Sequence, residues 1–443
     1  MGKILAILIC KLIRKIGSYV GKGSSLPGKF ALKICPDVLG RIKLPEISIA
    51  VSGSNGKTST VEMIYQMLEK SGLSVAYNYE GSNQIEGITT TVLCNCDNLG
   101  RFKKDVLLME VDERYAQYIF KYFVPKYFVI NNLFRDQLTR NGSSEYVLSQ
   151  LEKAIVVGTT LVLNCDDPLV SSLAYKFKND VVYFGVDENQ FVHEDNDGVY
   201  DDGYYCPICK HKMIYDYRHF GNIGDYHCTN CSFTRAQPNF YISDISSDKS
   251  QIVINDDVHI NLAFSSLYNA YNILASFTIG RLLNVNEDVI VNSLNDYLIK
   301  NGRIQSLNIN NNEVTLLISK HENSVSYNQN INYLIDHIDD VSLLIIIEDI
   351  SRKYFTSDTS WLWDINFELL ESENIKEIVV AGKYFNDVAV RFEYAELNMD
   401  KVTFIENVDE AIEYFTNYGE GDLFVMTCFS DEAKLTKHVK ETS

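Results

Sequence analysis

Two hydrophobic periods divide the chain. Leu5, Ile9, Leu12, Ile13 and Ile16 recur at helical spacing among Lys11, Arg14 and Lys15, which predicts an amphipathic helix within residues 1–20. Its apolar run, Ile4–Cys10, is too short to cross a bilayer, and no clean small-residue cleavage site follows it. Such a stripe is more often buried against its own protein than laid on a membrane surface. Gly21–Gly28 is rich in Gly and Ser and ends in Leu26-Pro27-Gly28, a loop signal. From Ile47 short apolar runs of strand character alternate with helical stretches. Ile47–Val51 leads through a glycine loop to the helix Val61–Lys70, and Val106–Met109, Tyr127–Ile130 and Thr160–Leu163 follow with helical segments between them. Strands alternating with helices imply a mostly parallel sheet covered on both faces.

A Cys/Tyr/His-rich insert over residues 204–235 interrupts the alternation, and a helix over Leu267–Leu283 follows it. Asn301-Gly302-Arg303 has the character of a hinge. Beyond it the alternation restarts with Leu343–Ile347, Ile378–Ala381, a helix over Asn386–Tyr394, and Asp422–Met426, a second α/β unit. The expected division is an N-terminal helix and loop (1–45), a central nucleotide-binding domain (46–301) carrying the insert (204–235), and a C-terminal α/β domain (302–443). A chain of 443 residues is long enough for two or three such cores. Its 59 acidic against 40 basic side chains give a net charge of −19, which argues against a general nucleic-acid binder. A nucleotide needs only a local electropositive pocket and is not excluded.

Val51-Ser-Gly53-Ser-Asn55-Gly56-Lys57-Thr58-Ser59-Thr60 lies between a strand and a helix. Backbone N–H groups of such a loop cradle phosphate oxygens, and the helix N-terminus adds its positive end. Lys57 would neutralise phosphate charge and the Thr58 hydroxyl would ligate Mg²⁺. The strict Walker spacing fails, because Ser52 stands where its first glycine belongs. The match is to the shorter Gly-x-x-Gly-Lys-Thr. Cys206-x-x-Cys209 and Cys228-x-x-Cys231 are two knuckles at zinc-ribbon spacing. Four thiolates close a tetrahedral Zn²⁺ shell, so the expected role is structural. His211, His219 and His227 are not needed as ligands. The other six cysteines are scattered, as befits a reducing cytoplasm.

The phosphate loop resembles the Gly-Thr-Asn-Gly-Lys-Thr signature of Mur ligases and folylpolyglutamate synthetases. Met109-Glu110-Val111-Asp112-Glu113 is similar to the acidic strand-end motif of that family, which implies that Glu110 binds Mg²⁺ at the γ-phosphate. Ser266-Leu-Tyr-Asn269-Ala-Tyr-Asn272 resembles its paired asparagines, implied to contact the base region of ATP, and Gly302-Arg303 its hinge arginine, implied to reach the phosphates. Within the superfamily the zinc knuckles, Gly23–Lys33, Asn132-Leu-Phe-Arg135-Asp136-Gln137-Leu138, Asp358-Thr-Ser360-Trp361-Leu-Trp363-Asp364 and Ala381-Gly-Lys383 through Ala395 resemble the MurT type. The fold so implied is α/β: a Mur ligase-like central P-loop domain with a parallel sheet, an inserted zinc ribbon, and a second, Rossmann-like C-terminal domain.

The resemblance implies an activity as well. MurT-type proteins work with a GatD-like glutaminase subunit in the cytoplasm, at the inner face of the membrane where lipid II lies. They use ATP to turn the α-carboxylate of D-isoglutamate in the lipid II stem peptide into an amide. Asp358 is implied to orient or deprotonate ammonia; from residues alone it is a turn or a cap. The chain departs from the MurT pattern at Tyr354-Phe355-Thr356, at Gln305, at Thr139 and at Lys320-His321-Glu322, with Asn328-Gln329 retained after a longer spacer. The alternatives are a stand-alone ligase adding an amino acid, for which no Asp-Asn-Pro-Arg-like signature is present, and a nucleotide-binding scaffold without turnover.

Overall fold

The computed structural model describes residues 2–17, 23–79, 82–137, 141–196, 199–262, 267–297, 304–310, 312–336, 339–350, 357–428, 431 and 435. The expected hinge, Arg303 included, lies outside them, as do Ser266, Thr139 and Tyr354–Thr356. The described residues form two compact units. The first takes them from 1–134, 144–195 and 202–299, and the second from 135–143, 196–201 and 300–443.

Unit 1 is built on nine strands: β1 (Ile47–Ser52), β2 (Val75–Tyr77), β3 (Val106–Glu110), β4 (Tyr127–Ile130), β5 (Thr160–Asn164), β6 (Val181–Val186), and, after the insert, β9 (Phe240–Ile245), β10 (Gln251–Ile254) and β11 (Val258–Asn261). Their order is β11-β10-β9-β6-β5-β4-β1-β3-β2. All neighbours are parallel except β9-β10-β11, an antiparallel edge. The central strands are continuous apolar runs because helices cover both faces. The alternating edge pattern in 240–261 is weaker in sequence, and it falls after the insert.

Four helices of unit 1 matter for the site: α1 (Gly2–Gly17), α2 (Leu26–Ile34), α3 (Lys57–Lys70) and α4 (Ile85–Cys94). The N-terminal segment packs into unit 1 through Ala6, Ile7, Cys10 and Ala31, which join the core of β3, β4 and α4. One expectation is corrected here. Leu26-Pro27-Gly28 is not loop but the first turn of α2, where proline's fixed φ suits a position whose N–H has no helical partner. Gly28 is there for closeness. Its N–H donates to Thr90 Oγ1 at 2.8 Å, and a Cβ would lie 1.9 Å from the Glu86 carbonyl oxygen of α4. Gly28→Ala is expected to lower unfolding free energy by about 1–3 kcal/mol in urea melts, although alanine is ordinarily the better helix former.

The insert contains the hairpin of β7 (Met213–Phe220) and β8 (Ile223–Cys228). The helix α5 (Leu267–Leu282) follows β11 and is buried along most of its length. Unit 2 is a six-stranded sheet of β12 (Ile304–Ile309), β13 (Asn312–Ser319), β14 (Val341–Ile346), β15 (Ile375–Ala381), β16 (Val402–Ile405) and β17 (Asp422–Cys428), in the order β12-β13-β17-β14-β15-β16. Only the β12–β13 hairpin is antiparallel. Helices α6 (Ser324–Ile335), α7 (Phe385–Tyr394) and α8 (Val408–Tyr418) accompany it, with separate apolar cores on its two faces.

Candidate nucleotide site and cysteine cluster

Register assembles the first site. In the parallel sheet Val51 pairs with Glu110 of β3 and Ser52 with Ile130 of β4, so the carboxyl ends of three strands meet where the chain order reverses about β1. Ligands of open α/β sheets bind in that crevice. The loop after β1 is latched from β4: Asn55 N–H donates to Asn132 Oδ1 at 2.8 Å, Ser54 N–H to the Asn132 carbonyl at 2.8 Å, and Phe134 N–H to Ser54 Oγ at 2.9 Å. Gly56 sits at φ +83 before the first turn of α3. A Cβ there would fall 2.0 Å from Asn272 Oδ1 of α5, so glycine is needed for both conformation and space.

Lys57 folds back over this loop. Its ammonium donates to the Gly53 carbonyl and to Glu113 Oε1, the latter at 2.6 Å, with both side chains nearly buried. Gly53 N–H donates to the same oxygen at 3.0 Å. Burial pushes the Glu113 carboxyl above the ordinary range, Lys57 opposes this, and Asp112 adds to it. Thr58 Oγ1 donates to Glu110 Oε2 at 2.8 Å and Asn83 Nδ2 to Glu110 Oε1 at 3.0 Å. The Asn78 side chain braces the backbone of Glu110 at both its N–H and its carbonyl. Magnesium–oxygen bonds of about 2.0–2.1 Å place neighbouring octahedral ligands about 2.9 Å apart, and the Thr58 and Glu110 oxygens stand 2.8 Å apart. The pair fits such an ion. Ser59 follows half-buried in the first turn of α3. On α5, Asn272 Oδ1 accepts from Thr60 Oγ1 at 3.4 Å, and the buried Asn269 Nδ2 has no hydrogen-bond partner, a donor ready for a polar acceptor.

The four knuckle cysteines converge, all Sγ atoms lying within 4.8 Å of one another. Sulfur ligands at about 2.3 Å from a tetrahedral ion stand about 3.8 Å apart. Cys206 and Cys231 are 3.7 Å apart and Cys209 and Cys228 3.4 Å, so the set fits zinc. Among the described residues no histidine joins it. His219 is buried against the Val186 carbonyl, and burial pushes its basicity down. His211 is exposed and His227 half-buried.

Unit 2 holds Asp358, which is exposed. Its carboxylate accepts the Ser360 N–H at 2.9 Å, just ahead of the short 3-10 helix Ser360–Asp364, and bonding to Ser360 holds it below the ordinary range. That helix buries Trp361 against Tyr327, with ring centroids 5.2 Å apart. Elsewhere in this unit Asp136 accepts from Lys320 Nζ at 3.1 Å and from Asn323 Nδ2 at 2.7 Å, uniting two segments nearly two hundred residues apart.

The Mur ligase middle domain family matches residues 51–236 and the MurT ligase C-terminal family residues 321–431. The chain is 31% identical over 399 residues to the lipid II isoglutaminyl synthase (glutamine-hydrolyzing) subunit MurT of Staphylococcus aureus (strain N315), covering 89% of this chain and 88% of that protein. It belongs to the MurT family of Mur ligases. The MurT subunit of Streptococcus pneumoniae (strain ATCC BAA-255 / R6) is 29% identical over 425 residues, 93% of this chain and 91% of its own. The fold is also that of a pseudomurein peptide ligase type C from Methanothermus fervidus, with TM-score 0.71 and 19% identity over 92% of this chain and 81% of that one.

In this MurT-family chain, then, the structure gathers Gly53, Asn55, Gly56, Lys57, Thr58, Ser59, Glu110 and Asn272 around one loop, with Asn269 one turn earlier on α5. Asp358 is described within the other unit. Four residues escaped the sequence reading: Asn78, Asn83, Glu113 and Asn132. Two of them had a signal. Glu113 stands within the acidic motif and Asn132 opens the Asn-Leu-Phe-Arg stretch, but neither spacing says which side chain turns toward the loop.

Proposed function

We propose that this chain is the synthetase subunit of an enzyme that amidates the D-isoglutamate α-carboxylate of lipid II, an ATP-dependent carbon–nitrogen ligase. The observation that carries the reading is the phosphate loop with Lys57, Thr58 and Glu110 in one cluster, in a chain nine-tenths of which aligns with MurT subunits. A carboxylate is a poor electrophile, and phosphorylation by ATP makes an acyl phosphate that ammonia displaces. Loop amides and Lys57 would neutralise the transferring phosphoryl group. Magnesium, held by Thr58 and Glu110, supplies charge neutralisation when bound. Asn269 and Asn272 would border the nucleotide, and Arg303 would reach its phosphates. Asp358 would orient ammonia or take its proton, and four thiolates would hold a structural Zn²⁺ in the 204–235 insert of the central domain (46–301), ahead of the C-terminal domain (302–443). A GatD-like glutaminase partner would supply the ammonia in the cytoplasm, at the membrane face where lipid II is met.

The test is ATP turnover with lipid II and an ammonium salt, with and without a glutaminase subunit, followed by mass spectrometry of the stem peptide for hydroxyl-to-amine exchange. Amidation supports the reading. Turnover only with an added amino acid, or nucleotide binding without turnover, overturns it. Glu110→Ala is expected to lower kcat on the order of 100-fold and to move half-saturation by Mg²⁺ upward, read by titrating the metal at fixed ATP.

A further inference from the structure

We propose that the paired helices α1 and α2 form a docking face for an anionic lipid bilayer. Helix α1 has two apolar faces. Ala6, Ile7 and Cys10 are fully buried in unit 1, whereas Ile4, Leu5, Leu8, Leu12 and Ile16, spaced by single turns, are 39–59% exposed. On α2, which packs on α1, Leu26 and Phe30 are exposed one turn apart. Single exposed leucines are ordinary; seven large apolar side chains on two adjoining helices are not.

The helix cannot roll to hide this stripe. Lys11 Nζ donates to the Cys96 carbonyl at 2.6 Å and Arg14 Nη2 to Tyr79 Oη at 2.5 Å. Both bonds pin α1 to unit 1 with the apolar row outward. Lys15, Lys29 and Lys33 are exposed at its margins.

Charge identifies the occupant. Residues 1–35 carry seven Lys and Arg and no Asp or Glu, in a chain whose net charge is −19. A second copy seated face to face would set seven positive charges against seven. An apolar interior beneath an anionic surface meets both demands, and lysines extend to headgroups while their stems stay in the boundary. Among the described residues no helix is long and apolar enough to cross a membrane, so α1 lies in the interface plane. The proposal gains its purpose from the lipid-substrate reading but does not depend on turnover. Vesicle binding needs no catalysis, so either can fail alone.

The experiment is co-sedimentation of the full chain with vesicles of phosphatidylglycerol and phosphatidylcholine, and with phosphatidylcholine alone. Binding is expected to the anionic vesicles and to weaken at high salt. Leu8→Glu/Leu12→Glu is expected to weaken it at least about tenfold with an unchanged thermal melt, since both side chains are already in water. Lys29→Glu/Lys33→Glu is expected to remove the preference for anionic lipid. The proposal is overturned if the unaltered chain ignores anionic vesicles, if Leu8→Glu/Leu12→Glu binds them as well, or if that variant instead changes the chain's mass by light scattering or its capture of a glutaminase subunit.

Discussion

Lys57→Ala is expected to lower ATP turnover on the order of 1000-fold and, separately, to cost about 3 kcal/mol of stability at neutral pH. Lys57→Ala/Glu113→Gln should regain most of the stability and none of the turnover. The two effects separate because Lys57 has two partners of different kinds. It faces the loop that would hold the nucleotide, and it neutralises Glu113, a carboxylate buried between the loop and the end of β3. Burial already pushes the Glu113 pKa upward against the pull of Lys57. Removing the lysine removes the largest opposing influence and leaves Gly53 N–H as the donor that remains. A carboxyl whose folded pKa lies above its unfolded value binds more protons when folded. Its contribution to stability is therefore full below the unfolded pKa and is lost as pH rises through the folded one. The deficit of Lys57→Ala should accordingly be smaller on the acid side of neutrality and grow toward the alkaline side, while the glutamine double variant, with nothing to titrate there, should not add to the slope. Urea melts across that range read the difference. A Lys57→Ala chain as stable as its parent at the alkaline end would show that the pair stabilises nothing.

That buried pair also marks where sequence reading runs out. The alternation of apolar runs places β1, β3, β4, β5, β14 and β17 within a residue or two and starts β15 three residues late, because strands buried on both faces leave continuous Val/Ile/Leu blocks. The antiparallel edge β9–β11 and strand β12 go unread because half-exposed strands carry weaker blocks; β13 goes unread as well, although its 316–319 stretch is buried. In sequence Pro27 has the look of a loop breaker, whereas it starts a helix; the partner helix α4, against which Gly28 closes, distinguishes the two. At the site, a glycine loop followed by Lys57-Thr58 announces phosphate by itself, and paired knuckles announce a metal. Which acidic residue faces the lysine and which faces the threonine depends on the turn after β3. Val111 keeps the pairing with β1, through its N–H to the Val51 carbonyl, and carries Glu113 behind the loop while Glu110 stays beside Thr58. No periodicity in the chain encodes that turn.

The same dependence on packing across distant segments makes the cysteine cluster more than a local staple. Stripping the metal with a thiol-binding mercurial and a chelator, or replacing Cys209 and Cys231 by serine, is expected to melt the insert and to raise KM for ATP by about tenfold while lowering kcat less. Structural zinc contributes about 10 kcal/mol or more to folding of small finger domains, and the insert's own apolar cluster is only Cys206, Met213, Tyr226, Cys228 and Phe233. The link to the nucleotide loop runs through the far end of the hairpin. Phe220 stacks on Tyr268 of α5 with centroids 4.0 Å apart, and both rings approach Phe134. Phe134 in turn holds Ser54 of the phosphate loop through both its N–H and its carbonyl, and Asn269 is the next residue along α5. A melted insert would free the end of α5 and loosen the loop's latch, weakening ground-state binding, whereas Lys57 and Glu110 would stay attached to α3 and β3, in place for the chemical step proposed for them. Phe220→Ala separates the two halves of the argument. It should keep zinc, measured by release against a colorimetric chelator, yet reproduce part of the rise in KM. Should the metal-free chain bind ATP and melt as the loaded one does, the cluster holds no structural ion and the path through Phe220 carries nothing.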